Sequence, residues 1–279
     1  MDKLKIYLKH PLSFVLLILI GLASIITVAS IIFIIIYILV NGIPNLTTDL
    51  FSLHYNSKNQ SMLPSIFNTV FITFLTLLIA VPIGIFSAVY LVEYAKKGSK
   101  LVKVIRVTTE TLAGIPSIVF GLFGFLAFVI ALGWGYSMIA GVLTLVMMVL
   151  PTIIRTTEEA LLAVPNSYRE GSFGLGAGKI RTIFKIIVPT AIPGILSGVI
   201  LAIGRIVGET AALIYTSGTV AETATSLTDS ARTLSVHLYC LLSEGLFTEQ
   251  AYATAVILLL LVVGINALSN FIAKKLAKK

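Results

Sequence analysis

The sequence predicts an all-α membrane protein of about six transmembrane helices with both termini cytoplasmic, and three observations predict it. Hydrophobic residues make up 57% of the chain and charged residues only 11%, whereas soluble domains carry about 25% charged residues. Six apolar segments are each long enough to cross a hydrocarbon core, which takes about 20 residues. The basic residues gather on one side of those segments, as the positive-inside rule requires of cytoplasmic loops. The chain reads as one membrane domain, 1–279, with nothing large outside it.

The first segment, 12–40, follows Lys3, Lys5 and Lys9 and so begins like a secretory signal. It is much longer than a signal's apolar region of about 7–15 residues and lacks a small-residue cleavage site, so it reads as a retained helix. The second, 66–92, carries Pro82 as a plain kink, tolerated where neighbours satisfy the backbone. In the third, 111–132, Gly114 and Pro116 place a bend near the start, and Glu110 complements the dipole of its cytoplasmic end. The fourth spans 136–154, and the fifth, 192–216, alone contains charges. The sixth, 252–272, holds Asn266 and Asn270, expected to hydrogen-bond between helices. The core helices occupy 66–273.

With the N-terminus inside, the cytoplasmic set is Lys3, Lys5, Lys9, Lys96, Lys97, Lys100, Lys103, Arg106, Arg155, Arg169, Lys179, Arg181, Lys185, Lys274, Lys275, Lys278 and Lys279. Of the 20 basic residues only Lys58, Arg205 and Arg232 fall elsewhere. The net charge of +8 is therefore topology rather than a nucleic-acid footprint. Two polar stretches separate the spans: an internal one, 156–189, and an external one, 218–250. In the latter Leu234, Leu238, Leu241 and Leu242 recur at helical spacing and predict a short amphipathic helix on the outer end of the bundle.

Several chemistries are excluded. Cys240 is the one cysteine, so no disulfide within the chain and no cysteine-based metal site can form. His10, His54 and His237 show no ligand spacing, and no nucleophile, base or metal set clusters as an enzyme would need. The glycines of 171–179 end in a lysine and imitate a phosphate-binding loop. That loop needs a glycine where Phe173 stands and a Ser or Thr where Ile180 stands. No nucleotide site is expected in this chain.

The internal stretch reads Glu170-Gly171-Ser172, three residues, Gly176, nine residues, Ile186, one residue, Val188-Pro189. In every spacing it resembles the cytoplasmic loop signature of importer permeases of the ABC class: Glu-Ala-Ala, three residues, Gly, nine residues, Ile, one residue, Leu-Pro. Gly171 and Ser172 replace the two alanines and Val188 the leucine. The stretches 109–123, 159–178 and 204–210 are similar to phosphate permeases, chiefly their A-type subunit. The resemblance implies the type I ABC importer-permease fold in a prokaryotic plasma membrane. It implies a heterodimer with a C-type permease, two copies of a cytoplasmic ATPase that bind the ATP and Mg, and an external phosphate-binding protein. It makes Arg169, Glu170, Gly171, Ser172, Gly176, Ile186 and Pro189 the surface coupled to the ATPase.

In the fifth segment, at 100° per residue, Gly194, Gly198 and Ala202 share a face with Gly204, Gly208 and Ala212. Small residues on one face suit close helix contact. Arg205 and Glu209 point from that face, four apart and able to pair. An arginine in a membrane span costs at least about 2.5–3.5 kcal/mol and marks either a pathway or a packing pair. The sharper reading is that Arg205, Glu209 and Thr210 line the substrate path, Arg205 meeting an anion in transit and Glu209 holding its orientation and moderating its field; the resemblance makes that anion phosphate. Another oxyanion, such as sulfate or molybdate, stays open. A secondary transporter or channel gated by the same pair is the other reading, and it leaves the loop signature unexplained.

Overall fold

A computed structural model describes residues 11–96 and 98–277. Lys3, Lys5, Lys9, His10, Lys97, Lys278 and Lys279 lie outside the described residues. Ten helices are used to place the site: α1 Pro11–Gly42, α2 Leu63–Tyr94, α3 Lys100–Ala113, α4 Ser117–Ala131, α5 Met138–Leu162, α6 Asn166–Gly174, α7 Lys179–Val207, α8 Ala211–Thr216, α9 Leu234–Glu244 and α10 Thr248–Ala277. Five of them are long and apolar enough to cross a membrane, and the bent pair α3–α4 makes a sixth span if counted as one.

The centre of the bundle is α5, whose buried face runs from Met138 to Leu161. Its broadest partner is α2, which turns a stripe of small and hydroxylated residues inward: Ser65, Asn68, Thr69, Thr73, Thr76, Ala80, Gly84 and Ala88. Small side chains at this spacing let two backbones approach, as lipid-embedded helices require. A Cβ on Gly84 would meet Ile153 Cγ2 at 2.5 Å, so no larger residue fits there. The hydroxyls do not seek each other: Thr69 donates to Ser65 O at 2.6 Å and Thr73 to Thr69 O at 2.7 Å, within the helix. By contrast α1 stands away from the bundle and touches α10 at its outer end, where the Tyr37 and Tyr252 hydroxyls are 3.2 Å apart.

Two of the expected spans are broken. The third divides into α3 and α4, which meet at 103° across Gly114, Ile115 and Pro116. Pro116 has no N–H to continue α3 and drives the preceding residue from the helical region. Glu110 consequently lies in the last turn of α3, not at a helix start, and the expected dipole role is corrected. The fifth span breaks at Gly208–Thr210, where Thr210 has φ −120° and ψ −53°. It also starts earlier, at Lys179, because basic residues alternate with Ile180, Ile183, Phe184 and Ile187 and extend the helix beyond the apolar core.

The external stretch folds back onto the outer end. Amides of Ser137, Met138 and Ile139 donate to the carbonyls of Thr216, Asp229 and Leu227 at 3.1, 2.8 and 2.9 Å, capping α5 with loop backbone. Asn68 donates to Glu222 O and accepts from Ala224 N, fastening the same loop to α2. The expected amphipathic helix is α9, begun by Thr233, whose side chain accepts from Val236 N, and ended by Gly245 at φ 70°. Asn266 and Asn270 make no side-chain hydrogen bond among the described residues, and Asn266 Oδ1 is buried without a partner. Their expected pairing is not found within this chain.

Candidate functional site

Two regions hold the residues singled out from the sequence, one at the basic end of the bundle and one at the helix breaks. At the basic end only α6 and the turns around it separate α5 from α7, so the stretch 156–189 is helical at both of its ends. Pro165, with ψ 141°, turns the chain off α5 into α6. Gly176 ends α6 at φ 80°, while the Gly176 and Ala177 amides donate back to Phe173 O and Ser172 O at 2.9 and 3.1 Å. This is the left-handed C-terminal cap that favours glycine.

The signature residues divide by direction. Glu170 and Gly171 are exposed, and beside them Tyr168, Phe173 and Leu175 present apolar surface, Leu175 being 91% exposed. Ser172 faces inward, its hydroxyl 2.8 Å from that of Thr182 at the start of α7. Ile186 packs against the apolar cluster beneath, and Pro189 lies within α7 rather than in a loop. Pro189 cannot donate to the turn before it, and a π-helical turn over Ile183–Ile187 takes up the irregularity.

Arg169 is the most connected of the set. Its Nε and Nη2 donate to Glu93 Oε1 at 3.0 and 2.6 Å, Nη1 to Val164 O at 3.0 Å and Nη2 to Leu161 O at 3.1 Å. Glu93 is missing from the sequence-derived set. Its one signal was being a lone carboxylate ahead of the run Lys96–Lys103, which by itself does not name a partner 76 residues away.

At the breaks, the structure separates the two glycine stripes of α7. Gly194 and Gly198 pack on Ala160 and Thr156 of α5, so close contact explains them. A Cβ on Gly204 would meet nothing within 4 Å, and Gly208 is exposed. Arg205, half-buried, lies on this open side. The predicted Arg205–Glu209 pair is not formed: among the described residues no carboxylate reaches Arg205 within ion-pair distance. The reason is the break at Gly208. Glu209, past it, is buried, and its Oε1 accepts from Ala212 N at 3.0 Å to cap α8, while its carbonyl accepts from Ser235 Oγ at 2.6 Å. Thr210 is half-buried, its hydroxyl 3.4 Å from Gly208 O.

The breaks of α4 and α7–α8 lie side by side. Gly121 would clash with Ala212 Cα at 2.7 Å if it carried a Cβ, and Gly124 approaches Thr216, so α4 and α8 run parallel in fixed register. Arg205 lies in the last turn of α7, just before the break that leads into α8.

Residues 80–279 match the model of the family described as binding-protein-dependent transport system inner membrane component. The chain belongs to this family. The permease is 32% identical over 277 residues to the Bacillus subtilis protein named Probable ABC transporter permease protein YqgI, covering 93% of this chain and 94% of that one. Over 140 residues it is 45% identical to Phosphate transport system permease protein PstA 1 of Mycobacterium tuberculosis, covering 50% of this chain and 45% of that one. Its fold is similar to a chain of a bacterial alginate ABC transporter in complex with a periplasmic protein, with TM-score 0.71, 15% identity and 98% of both chains covered. A chain of the inward-facing MetNI methionine ABC transporter gives TM-score 0.60 at 20% identity, over 76% of this permease and 93% of that chain. The family resemblance read from the loop signature is thereby borne out, and the permease is a multi-pass transport component with the type I importer fold.

Proposed function

We propose that the permease is the A-type subunit of an ATP-driven phosphate importer in a prokaryotic plasma membrane. The observation that carries the reading is Arg205, a guanidinium in the last turn of the membrane helix α7 with no carboxylate partner among the described residues, on an open glycine face. A cation there calls for an anionic partner. The relatives named phosphate transport permeases supply the choice of anion. A C-type permease covers the open face and completes the path. Two ATPase copies hold ATP and Mg and receive Glu170, Gly171 and the apolar surface of α6, while an external phosphate-binding protein delivers the substrate to the loop 218–250.

Uptake of radiolabelled phosphate tests the reading. Arg205→Ala is expected to assemble with the ATPase and to lose uptake by at least about tenfold, since a charge-assisted hydrogen bond is worth about 1.5–3 kcal/mol. Arg205→Lys retains part, because an ammonium keeps the charge without the planar fork. Wild-type uptake in Arg205→Ala would remove the arginine from the path. Stronger competition by sulfate or molybdate than by phosphate would reassign the substrate.

A further inference from the structure

We propose that Glu93 is a positioning residue for coupling: with Arg169 it latches α6 to the ends of α2 and α5, so that the three move as one body when the ATPase moves α6. The inference rests on the proposed function only in taking α6 as the surface that meets an ATPase.

Glu93 lies in the π-helical last turn of α2, Tyr90–Tyr94. A carboxylate at a helix C-terminus is opposed by the macrodipole, so local helix energetics do not place one there. Yet it is held, nearly buried, with 10% of its side chain exposed against 17% for Arg169. The same guanidinium donates to Leu161 O in the last α5 turn and to Val164 O just past it. A cation suits that position, because the final carbonyls of a helix have no intrahelical donor. One side chain of α6 thus engages both neighbouring helix ends by four hydrogen bonds. Val89, Leu91, Leu161, Val164, Ile183 and Ile187 of the same helix ends form a buried apolar cluster, and the pair is largely withdrawn from water. In such surroundings, removing one partner strands the other's charge, so the pair holds only as a unit. α6 is also fastened to α7 through the Ser172 and Thr182 hydroxyls, 2.8 Å apart, and α7 in turn reaches α2 through the Lys179 ammonium, 4.6 Å from the centre of the Tyr94 ring.

The test uses the assembled complex with Cys240→Ser and spin labels on Ser167→Cys in α6 and Tyr90→Cys in α2, both exposed. The expected result is one narrow label distance that is the same in nucleotide-free and ATP-trapped complexes. Glu93→Gln, which keeps the shape and an acceptor but not the charge, is expected to broaden that distance or make it depend on nucleotide. Substrate imported per ATP hydrolysed should fall by about tenfold, in the range of ordinary coupling energies. A distance that differs between the two states of the unmutated latch overturns the proposal. So does a Glu93→Gln complex whose distance and stoichiometry both match its parent's. If Glu93→Gln fails to accumulate, Glu93→Asp, which shortens the reach without removing the charge, is read the same way. Failure of the phosphate reading is distinguishable, because the label distances do not depend on which substrate is carried.

Discussion

At the scale of single residues, burial and hydrogen-bond capacity decide roles that residue type leaves open. Arg205 and Glu209 were a natural pair by spacing, yet each went its own way once the helix broke between them. His237, isolated in the sequence, is fully buried in α9 against Tyr55 and Arg232. Its Nδ1 lies 3.3 Å from Arg232 Nη1, and since a guanidinium only donates, this nitrogen accepts. Burial, aided by the Arg232 charge, pushes the imidazole down to about 4 from its ordinary 6.5. The sign follows from linkage: the unfolded state takes up a proton first, so the outer cap is unaffected above pH 6.5 and loses stability progressively down to about 4. The protection of α9 amides relative to their intrinsic exchange rate at each pH is therefore expected to fall across that window, and His237→Gln should flatten the dependence. Protection that falls equally steeply in His237→Gln would place the titrating group elsewhere.

At the scale of elements, the two breaks matter more than any straight span. Gly114, which ends α3, and Pro116, which precedes α4, account for the 103° turn between them. The break before α8 has no proline, and depends on Gly208 and on a carboxylate that supplies an acceptor for Ala212 N. Glu209 therefore behaves as a cap rather than as a counter-ion. Glu209→Gln, which keeps an accepting oxygen, is expected to assemble and transport close to wild type. Glu209→Ala should cost about 1 kcal/mol of stability, typical of a lost helix cap, and reduce uptake. Thermal unfolding in detergent together with uptake measures both. A Gln variant as inactive as Arg205→Ala would restore the charge-pair role.

Across the whole molecule, α1 lies outside the bundle, and the open face of α7 and the unpartnered Asn266 Oδ1 are the surfaces that the proposed second permease would complete. The orientation can be tested with thiols. Cys240 is half-buried in α9 and burial raises its pKa, so an impermeant maleimide applied to spheroplasts should label it slowly. Leu246, 80% exposed in the turn after α9, should label much faster as Leu246→Cys in a Cys240→Ser background. Reaction of Leu246→Cys only after permeabilisation would invert the topology.

The sequence by itself determined the class, the five to six apolar spans and the family. Hydropathy, basic-residue placement and the spacing from Glu170 to Pro189 are written along the chain and need no partner to be read. It also marked Pro116 and Gly176, because a missing N–H and a positive φ are local demands. Only the tertiary structure decided where the fifth span breaks, that Glu209 caps α8 instead of pairing with Arg205, and that Glu93 meets Arg169. Each of those outcomes turns on competition among hydrogen-bond partners from different helices. Such competition is settled by which groups packing brings within about 3 Å, not by their separation in sequence.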